Sequence, residues 1–210
     1  PLYSSAASDV YKRQAEEKLR HQVRRLLGTS RLEPPLTAGF DMSATLELIL
    51  TQVVEQFQVD AAVFLLLSRS RHVLEVIARR GFHTDALRYT HLSLGEGHAG
   101  KAALERRPVF IPDLPAQLGE LHRAPLLEQE GFQAYLALPL IAGEELKGVL
   151  EIFQRGPLAP AGDWLEALQD LGRRAATAVE NARMVEDLQR SHKEISLAFD
   201  AALELSLIHI

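Results

Sequence analysis

The sequence predicts an α+β fold: an antiparallel sheet flanked by helices, with one long helix at the C-terminal end. Short apolar segments typical of strands recur through the middle of the chain, and Ala142-Gly143-Glu144 is a hairpin signal between two of them. Helical periodicity is concentrated towards both ends of the chain. Strands joined by tight turns pair antiparallel, so these segments are expected to form one antiparallel sheet. The helices then pack on the faces of that sheet.

The first helix of this fold is predicted over Ser43–Gln58, where Ser43 is the N-cap and a wide apolar face follows. Ala61–Leu67 is short and wholly apolar, as a strand buried on both faces would be. Val73–Arg79 alternates and is its predicted antiparallel partner, and Leu87–Leu94 is a weaker third strand.

The glycines of Gly95–Gly100 predict a turn, which leads into a short helix over Ala99–Arg106. The remaining segments are assigned by the same rules, with proline and glycine marking their ends. They are a strand at Val109–Ile111, a polar helical excursion at Gln117–Gln129, strands at Ala134–Ile141 and Glu145–Phe153, and a helix from Asp163 to at least Glu204.

The two ends of the chain differ in character from the rest. Residues 1–14 and Leu205–Ile210 resemble translated sequencing-adapter tails, and we set them aside from the fold. The alternative is a disordered start and an apolar helix end. Between the first tail and residue 41, the pattern predicts a helix over Ala15–Leu27 and a linker that reaches residue 40.

Composition excludes several classes of function. The net charge of −5 and the scattered basic residues give no general attraction to nucleic acid or to an anionic membrane. No apolar stretch reaches the roughly 18 residues that a spanning helix needs, and the N-terminus lacks the order of a signal peptide. We therefore expect a cytoplasmic protein without a nucleic-acid or membrane partner.

Motifs of catalysis and metal binding are missing from the sequence. It contains no cysteine, which excludes thiolate metal sites and a cysteine nucleophile, and its eight histidines lack paired metal-ligand spacing. Gly95–Gly100 matches the dinucleotide-binding glycine pattern in letters only, because no acidic residue completes a βαβ unit. We expect neither enzymatic activity nor a metal site in this chain.

Three segments together resemble the GAF family of sensor domains. They are GEGHAGKAALERRPVFIPDL (95–114), LPLIAGEELKGVLEIFQR (138–155) and DLGRRAATAVENARMVEDL (170–188). The resemblance covers residues 41–188 and implies a small-molecule cavity between one face of the sheet and the loops above it. Its expected lining is Phe64, Leu66, Phe110, Tyr135, Ala137 and Phe153. The alternative, favoured for most of these residues, is that they simply form the core.

The resemblance does not name the ligand. The absence of cysteine removes covalent bilin attachment and the sulfoxide reductase chemistry of some GAF proteins. The signature of the cyclic-nucleotide-binding GAF domains is also missing. Haem would need a buried histidine, and His98 and His122 fall in predicted turns or loops.

The C-terminal helix carries a heptad pattern that predicts a dimer seam. Its positions are Val185, Leu188, His192, Ile195, Phe199 and Ala202. A similar stripe lies upstream, slightly out of phase, at Leu168, Leu171, Ala175, Ala178 and Ala182. We expect a parallel homodimer through the terminal helices, in which a small-molecule ligand or the redox state at the sensor shifts the packing of the helices. The alternative is a helix that folds back on its own domain.

Residues 189–204 are interpreted as the start of an output helix. Leu188–Glu204 resembles the junction at which a GAF domain leads into an HD-GYP phosphodiesterase, a hydrolase of cyclic di-GMP whose metal ligands are not in this chain. The alternative is a sensor histidine kinase with His192 near its phospho-accepting helix. However, Ile195-Ser196-Leu197 departs from the Arg-Thr-Pro of that family, and His192 falls on the predicted seam.

Overall fold

The computed structural model describes residues 42–85, 87–88, 90–117 and 127–208, and side chains up to residue 191 except those of 188 and 189. Four helices and six strands follow one another in this part of the chain. They are α1 (Met42–Phe57), β1 (Ala61–Leu67), β2 (Val73–Arg80), β3 (His91–Ser93), α2 (Gly97–Glu105), β4 (Val109–Ile111), α3 (Leu114–Gln117), β5 (Ala134–Ala142), β6 (Glu145–Gln154) and α4 (Gly162–Ile208).

The six strands form one sheet in the order β3-β2-β1-β6-β5-β4, and every neighbouring pair is antiparallel. The central strands β1 and β6 come from opposite ends of the domain and pair from Ala61 opposite Phe153 to Leu66 opposite Gly148. This pairing joins the two halves of the sheet, and the predicted α+β class is confirmed.

One face of the sheet, called here the helix face, is covered by α1 on β1 and β2 and by α4 on β5 and β6. Alternate residues of the strands point to this face, as the pleat requires. The buried ones are Ala62, Phe64, Leu66, Ala78, Leu136, Leu138, Leu140, Leu150 and Ile152. Phe57 of α1 and Trp164 of α4 meet edge to face, with ring centroids 5.4 Å apart, and join the two helices.

The opposite face, called here the loop face, is covered by α2 and by the segments around Leu87, Leu114 and Phe132. Its buried apolar strand residues are Ala61, Val63, Leu65, Leu74, Leu92, Ile111, Tyr135, Ala137, Val149 and Phe153. Because both faces are covered, the central strand β1 is an unbroken apolar run.

The predicted element bounds hold closely for the long elements. Ala61–Leu67 is confirmed without change, and α1, β5 and β6 are confirmed within one residue at each end. The prediction for Leu87–Leu94 was wrong in extent, since only His91–Ser93 is a strand. Leu87 is buried but lies in a turn, where its carbonyl accepts a 3.3 Å hydrogen bond from the amide of Thr90.

Two other predictions fall partly or wholly outside the described residues. The helix predicted over Ala15–Leu27 is outside them, and so is most of the excursion predicted over Gln117–Gln129. The final helix is confirmed as one continuous element of 47 residues, Gly162–Ile208. At 1.5 Å per residue it is about 70 Å long, far longer than the sheet on which its first half packs.

Candidate ligand-binding site

Helix α2 lies close against the loop face because glycines bring its start next to β3. Gly95 has a φ of 87°, and its amide donates a 2.8 Å hydrogen bond to the carbonyl of Gly100. A Cβ on Gly100 would lie 2.4 Å from the carbonyl oxygen of Ser93, so only glycine fits there. This tight packing buries one side of α2, including His98 and Ala102.

A buried polar cluster lies beneath α2 on β5 and β6. The hydroxyl of Tyr135 donates a 2.6 Å hydrogen bond to Oε1 of Glu151, and the Glu151 side chain is completely buried. The ring of His98 lies beside that of Tyr135, with centroids 5.7 Å apart. A carboxylate is costly to bury without hydrogen-bond donors, so this cluster marks a polar position within an otherwise apolar face.

Aromatic rings continue from this cluster towards one end of the loop face. Phe153 is at the centre, with its ring centroid 5.1 Å from Tyr135, 5.0 Å from Phe132 and 5.4 Å from Phe82. Phe82 and Phe132 also meet edge to face at 5.6 Å. The rings pack directly on one another and form an aromatic wall next to the polar cluster.

Glu130 fixes the loop that follows β2. Its carboxylate accepts hydrogen bonds from the amides of His83 (2.9 Å) and Thr84 (2.7 Å), from the Thr84 hydroxyl (2.7 Å) and from Arg155 (3.0 Å). Burial by itself raises the pKa of Glu130, but these donors outweigh it and the net pKa is lowered. Glu130 is therefore held as a carboxylate that ties two loops together.

Arg155 completes this connection from the end of β6. Its guanidinium lies 4.7 Å from the ring centroid of Phe132 and donates to the carbonyls of Glu130 (3.0 Å) and Gly81 (3.1 Å). Its own amide donates a 2.6 Å hydrogen bond to Asp60. The loops at this end of the sheet are thus held by charged hydrogen bonds rather than by apolar packing alone.

The structure divides the six residues that the sequence predicted as a cavity lining. Tyr135, Ala137 and Phe153 lie together on the loop face. Phe64 and Leu66 lie on the helix face, in the core beneath the helices. Phe110 is exposed and is paired with Leu136, whose side chain belongs to the helix face. The six residues therefore do not share one face, and the predicted grouping is corrected to the three on the loop face.

Sequence reasoning missed two residues of the site and misplaced a third. Glu151 and Glu130 were not singled out, although a carboxylate between the apolar residues of β6 was a usable signal for the first. His98 was expected in a turn, but it lies in helix α2 and is only 7% exposed. His122 lies outside the described residues. Within the described residues, no three His, Asp or Glu side chains are grouped to hold a metal ion.

Helix α4 packs on the back of the strands that carry this site. The upstream stripe faces its own sheet: Leu168, Ala175 and Ala182 are at most 1% exposed. Of the predicted dimer seam, Val185 is half-buried, and the side chains of Leu188, His192, Ile195, Phe199 and Ala202 lie outside the described residues. In the described part of the chain, no helix has the length and apolar character to cross a membrane.

The six-stranded antiparallel sheet carries two helices on one face and a short helix with loops over a polar cluster on the other. Comparison with protein families matches the GAF domain over residues 41–181. The chain belongs to the GAF domain family. A GAF domain is in general a regulatory sensor module. A comparison with curated proteins found no match.

Several solved structures share this fold. The GAF domain of a phosphoenolpyruvate-protein phosphotransferase from Coxiella burnetii has a TM-score of 0.64 and 21% identity, covering 82% of this chain and 96% of that one. The GAF region of a putative membrane protein from Geobacter sulfurreducens has a TM-score of 0.58 and 25% identity, covering 67% of this chain and 93% of that one. A free methionine-R-sulfoxide reductase from Neisseria meningitidis, solved with its substrate, has a TM-score of 0.58 and 17% identity, covering 80% of this chain and 91% of that one.

Proposed function

We propose that this chain is a cytoplasmic, non-catalytic sensor of a small molecule that regulates an output domain following helix α4. The output that we propose is an HD-GYP phosphodiesterase acting on cyclic di-GMP. The proposal includes a parallel homodimer through the terminal helices. The sulfoxide reductase activity named for one structural relative is not proposed here, because the chain has no cysteine.

The observation that carries this proposal is the back-to-back arrangement of site and helix on β5 and β6. Tyr135 and Glu151 point to the loop face, while the residues that follow them, Leu136 and Ile152, belong to the core of the helix face. Helix α4 packs on these same two strands. A ligand that displaces the Tyr135–Glu151 cluster thus acts on strands that contact α4 directly, without an intervening layer.

The choice of output rests on the sequence of Leu188–Glu204, which continues α4 without interruption and resembles the junction to an HD-GYP domain. The second candidate is a sensor histidine kinase. It is favoured by Ser191-His192-Lys193-Glu194, which lies on the same continuous helix after a sensor domain.

The experiment begins with long-read sequencing of the source DNA across the Glu204 codon. We expect the frame to continue into a helical domain with a His-Asp pair and a Gly-Tyr-Pro motif. A kinase core, or a stop after Ile210, would remove the phosphodiesterase assignment. If a kinase core follows, phosphate transfer from ATP, compared between the wild type and His192→Gln, tests the second candidate.

The second step measures cyclic di-GMP hydrolysis by the full-length parent. Glu151→Gln keeps the size of the side chain but removes its charge, and we expect it to change the rate at least threefold. The control is Glu128→Gln, which removes a charge at an exposed position near Glu130 and is expected to leave the rate unchanged. An equal rate in wild type and Glu151→Gln would contradict a sensor role for this cluster.

A further inference from the structure

Lys147 occupies an unusual position in the central strand β6. It is only 1% exposed, although lysine is almost never fully buried without a charged partner. The pairing of β5 with β6 goes from Leu140 opposite Gly148 to Ile141 opposite Leu146, so Lys147 has no partner on β5. Lys147 is therefore the extra residue of a β-bulge.

The bulge turns the lysine towards the long helix. Regular alternation from Val149, on the loop face, would place residue 147 on the loop face and residue 146 on the helix face. The structure shows the reverse: Leu146 packs against the loop-face core, and the Lys147 ammonium contacts the carboxylate of Glu180 in α4. Gly148 permits this backbone, since a Cβ there would lie 2.1 Å from the carbonyl oxygen of Leu65.

Three polar contacts hold α4 where it leaves the domain, and we call them the exit clamp. They are Lys147 with Glu180, the Arg183 guanidinium donating to the carbonyl of Leu67 at 2.7 Å, and Arg69 with Asp187 at 3.1 Å. Residues 180, 183 and 187 lie on one side of a helix, because they are three and four positions apart. The clamp overlaps the end of the apolar packing of α4 on the sheet, which extends to Ala182, and continues beyond it to Asp187.

The charged side chains of the exit clamp differ in their exposure to solvent. Arg69 and Asp187 are each more than half exposed, so their pair is screened by water and contributes little. The Lys147 side chain is 2% exposed and that of Glu180 is 22% exposed. Glu145, at 2.6 Å from the ammonium, is 74% exposed. A buried ammonium is destabilised when a carboxylate partner moves away from it. Lys147 therefore favours the position of α4 that keeps Glu180 in contact with it, and does so more strongly than apolar packing alone would.

We propose that Lys147 is a positioning residue that fixes the rotation and axial position of α4 at its exit from the sheet. On an ideal helix, the clamp positions 180, 183 and 187 lie about a third of a turn from the predicted seam positions. The clamp thus sets the direction in which that seam faces. Lys147 lies four residues before Glu151 on the same strand, so a displacement of β6 at the ligand side moves the lysine and, through Glu180, the helix. This role holds for any output domain and for any ligand.

The test is hydrogen exchange of the complete chain, followed by mass spectrometry. Lys147→Met keeps an unbranched side chain in the buried position but releases Glu180. We expect backbone exchange over residues 180–191 to rise about fivefold or more, while exchange in β1 and β5 stays within about twofold of wild type. The matched control is Arg173→Met, which breaks the exposed pair with Asp170 on the same helix and should change neither region.

A second variant keeps the test decisive if Lys147→Met does not fold. Glu180→Gln removes the negative charge of the same ion pair from the helix side without altering the sheet, and we expect the same local rise. The double variant should exchange like either single variant, because both substitutions remove the same ion pair. If residues 180–191 of the Glu180→Gln variant exchange at the same rate as in the wild type, the proposal is overturned. A rise spread equally over β1 and β5 would also overturn it, because it would indicate general stabilisation rather than positioning.

Discussion

The hydroxyl of Tyr135 donates a 2.6 Å hydrogen bond to Glu151, and both side chains are at most 1% exposed. The two residues are diagonal neighbours on paired strands, since Tyr135 lies opposite Phe153 and Ala137 lies opposite Glu151. This bond supplies a donor to a carboxylate that water does not reach. It is the polar centre of a face that is otherwise aromatic and aliphatic.

Removal of the Tyr135 hydroxyl tests how much the stability of the domain depends on its hydrogen bond to Glu151. Tyr135→Phe keeps the ring but leaves the Glu151 carboxylate with one donor fewer, and we expect a loss of about 1–3 kcal/mol in the free energy of unfolding. The measurement is urea unfolding at pH 7. The control is Thr177→Val, which removes an exposed hydroxyl bonded to the carbonyl of Arg173 and should cost less than about 0.5 kcal/mol. Equal effects of the two variants would contradict a structural role for the Tyr135–Glu151 bond.

Gly148 provides a second test, of the close contact between the central strands. In Gly148→Ala the new Cβ would meet the backbone of Leu65, which cannot move without disturbing the pairing of β1 with β6. We expect a loss of about 3 kcal/mol or more in unfolding free energy. In Gly156→Ala nothing lies within 4 Å of the new Cβ, and stability should change by no more than about 1 kcal/mol. Chemical denaturation of both variants gives the comparison, and a similar result for the two would contradict it.

Much of the fold could be predicted from the sequence because burial on both faces leaves an unmistakable pattern. Ala61–Leu67 is apolar throughout, and its bounds were predicted correctly. The same apolar pattern does not show on which face of the sheet each side chain packs. Phe64 and Leu65 look equivalent in the sequence, yet they lie in different cores. For this reason the predicted cavity lining mixed the two faces.

The buried charges show a different limit of sequence reasoning. The position of Lys147 depends on a bulge, and a bulge arises from the pairing of two strands rather than from local composition. Alternation alone would have placed Lys147 on the wrong face. Leu87 shows the same limit, because it is buried as a strand residue would be but lies in a hydrogen-bonded turn.

Glu130 gives the domain a specific pH dependence. Its pKa is lowered in the folded state because hydrogen bonds from His83, Thr84 and Arg155 outweigh the opposing effect of burial. A lowered folded pKa contributes stability above the unfolded value of about 4.3, and that stability is lost as the pH falls through the folded value. We therefore expect the stability advantage of wild type over Glu130→Gln to be largest at neutral pH and to shrink below about pH 4.3.

Urea unfolding of wild type and Glu130→Gln between pH 7 and pH 3 measures this difference. Glu128→Gln is the control, because Glu128 is exposed only two residues away, and its replacement should change stability by less than about 0.5 kcal/mol at neutral pH. A difference between wild type and Glu130→Gln that stays constant over the whole pH range would show that Glu130 acts through packing and not through its charge.

The predicted dimer seam is tested by placing charges in it. Ile195→Lys combined with Phe199→Lys puts two ammonium groups at seam positions of each helix, and like charges facing each other across a parallel seam repel. By light scattering coupled to size exclusion, we expect the wild type to be a dimer and the variant to be a monomer. The control is Glu55→Lys combined with Gln56→Lys, at the exposed end of α1, which should remain dimeric. An unchanged dimer mass in the seam variant would rule out this interface, and a wild-type monomer would rule out the dimer itself.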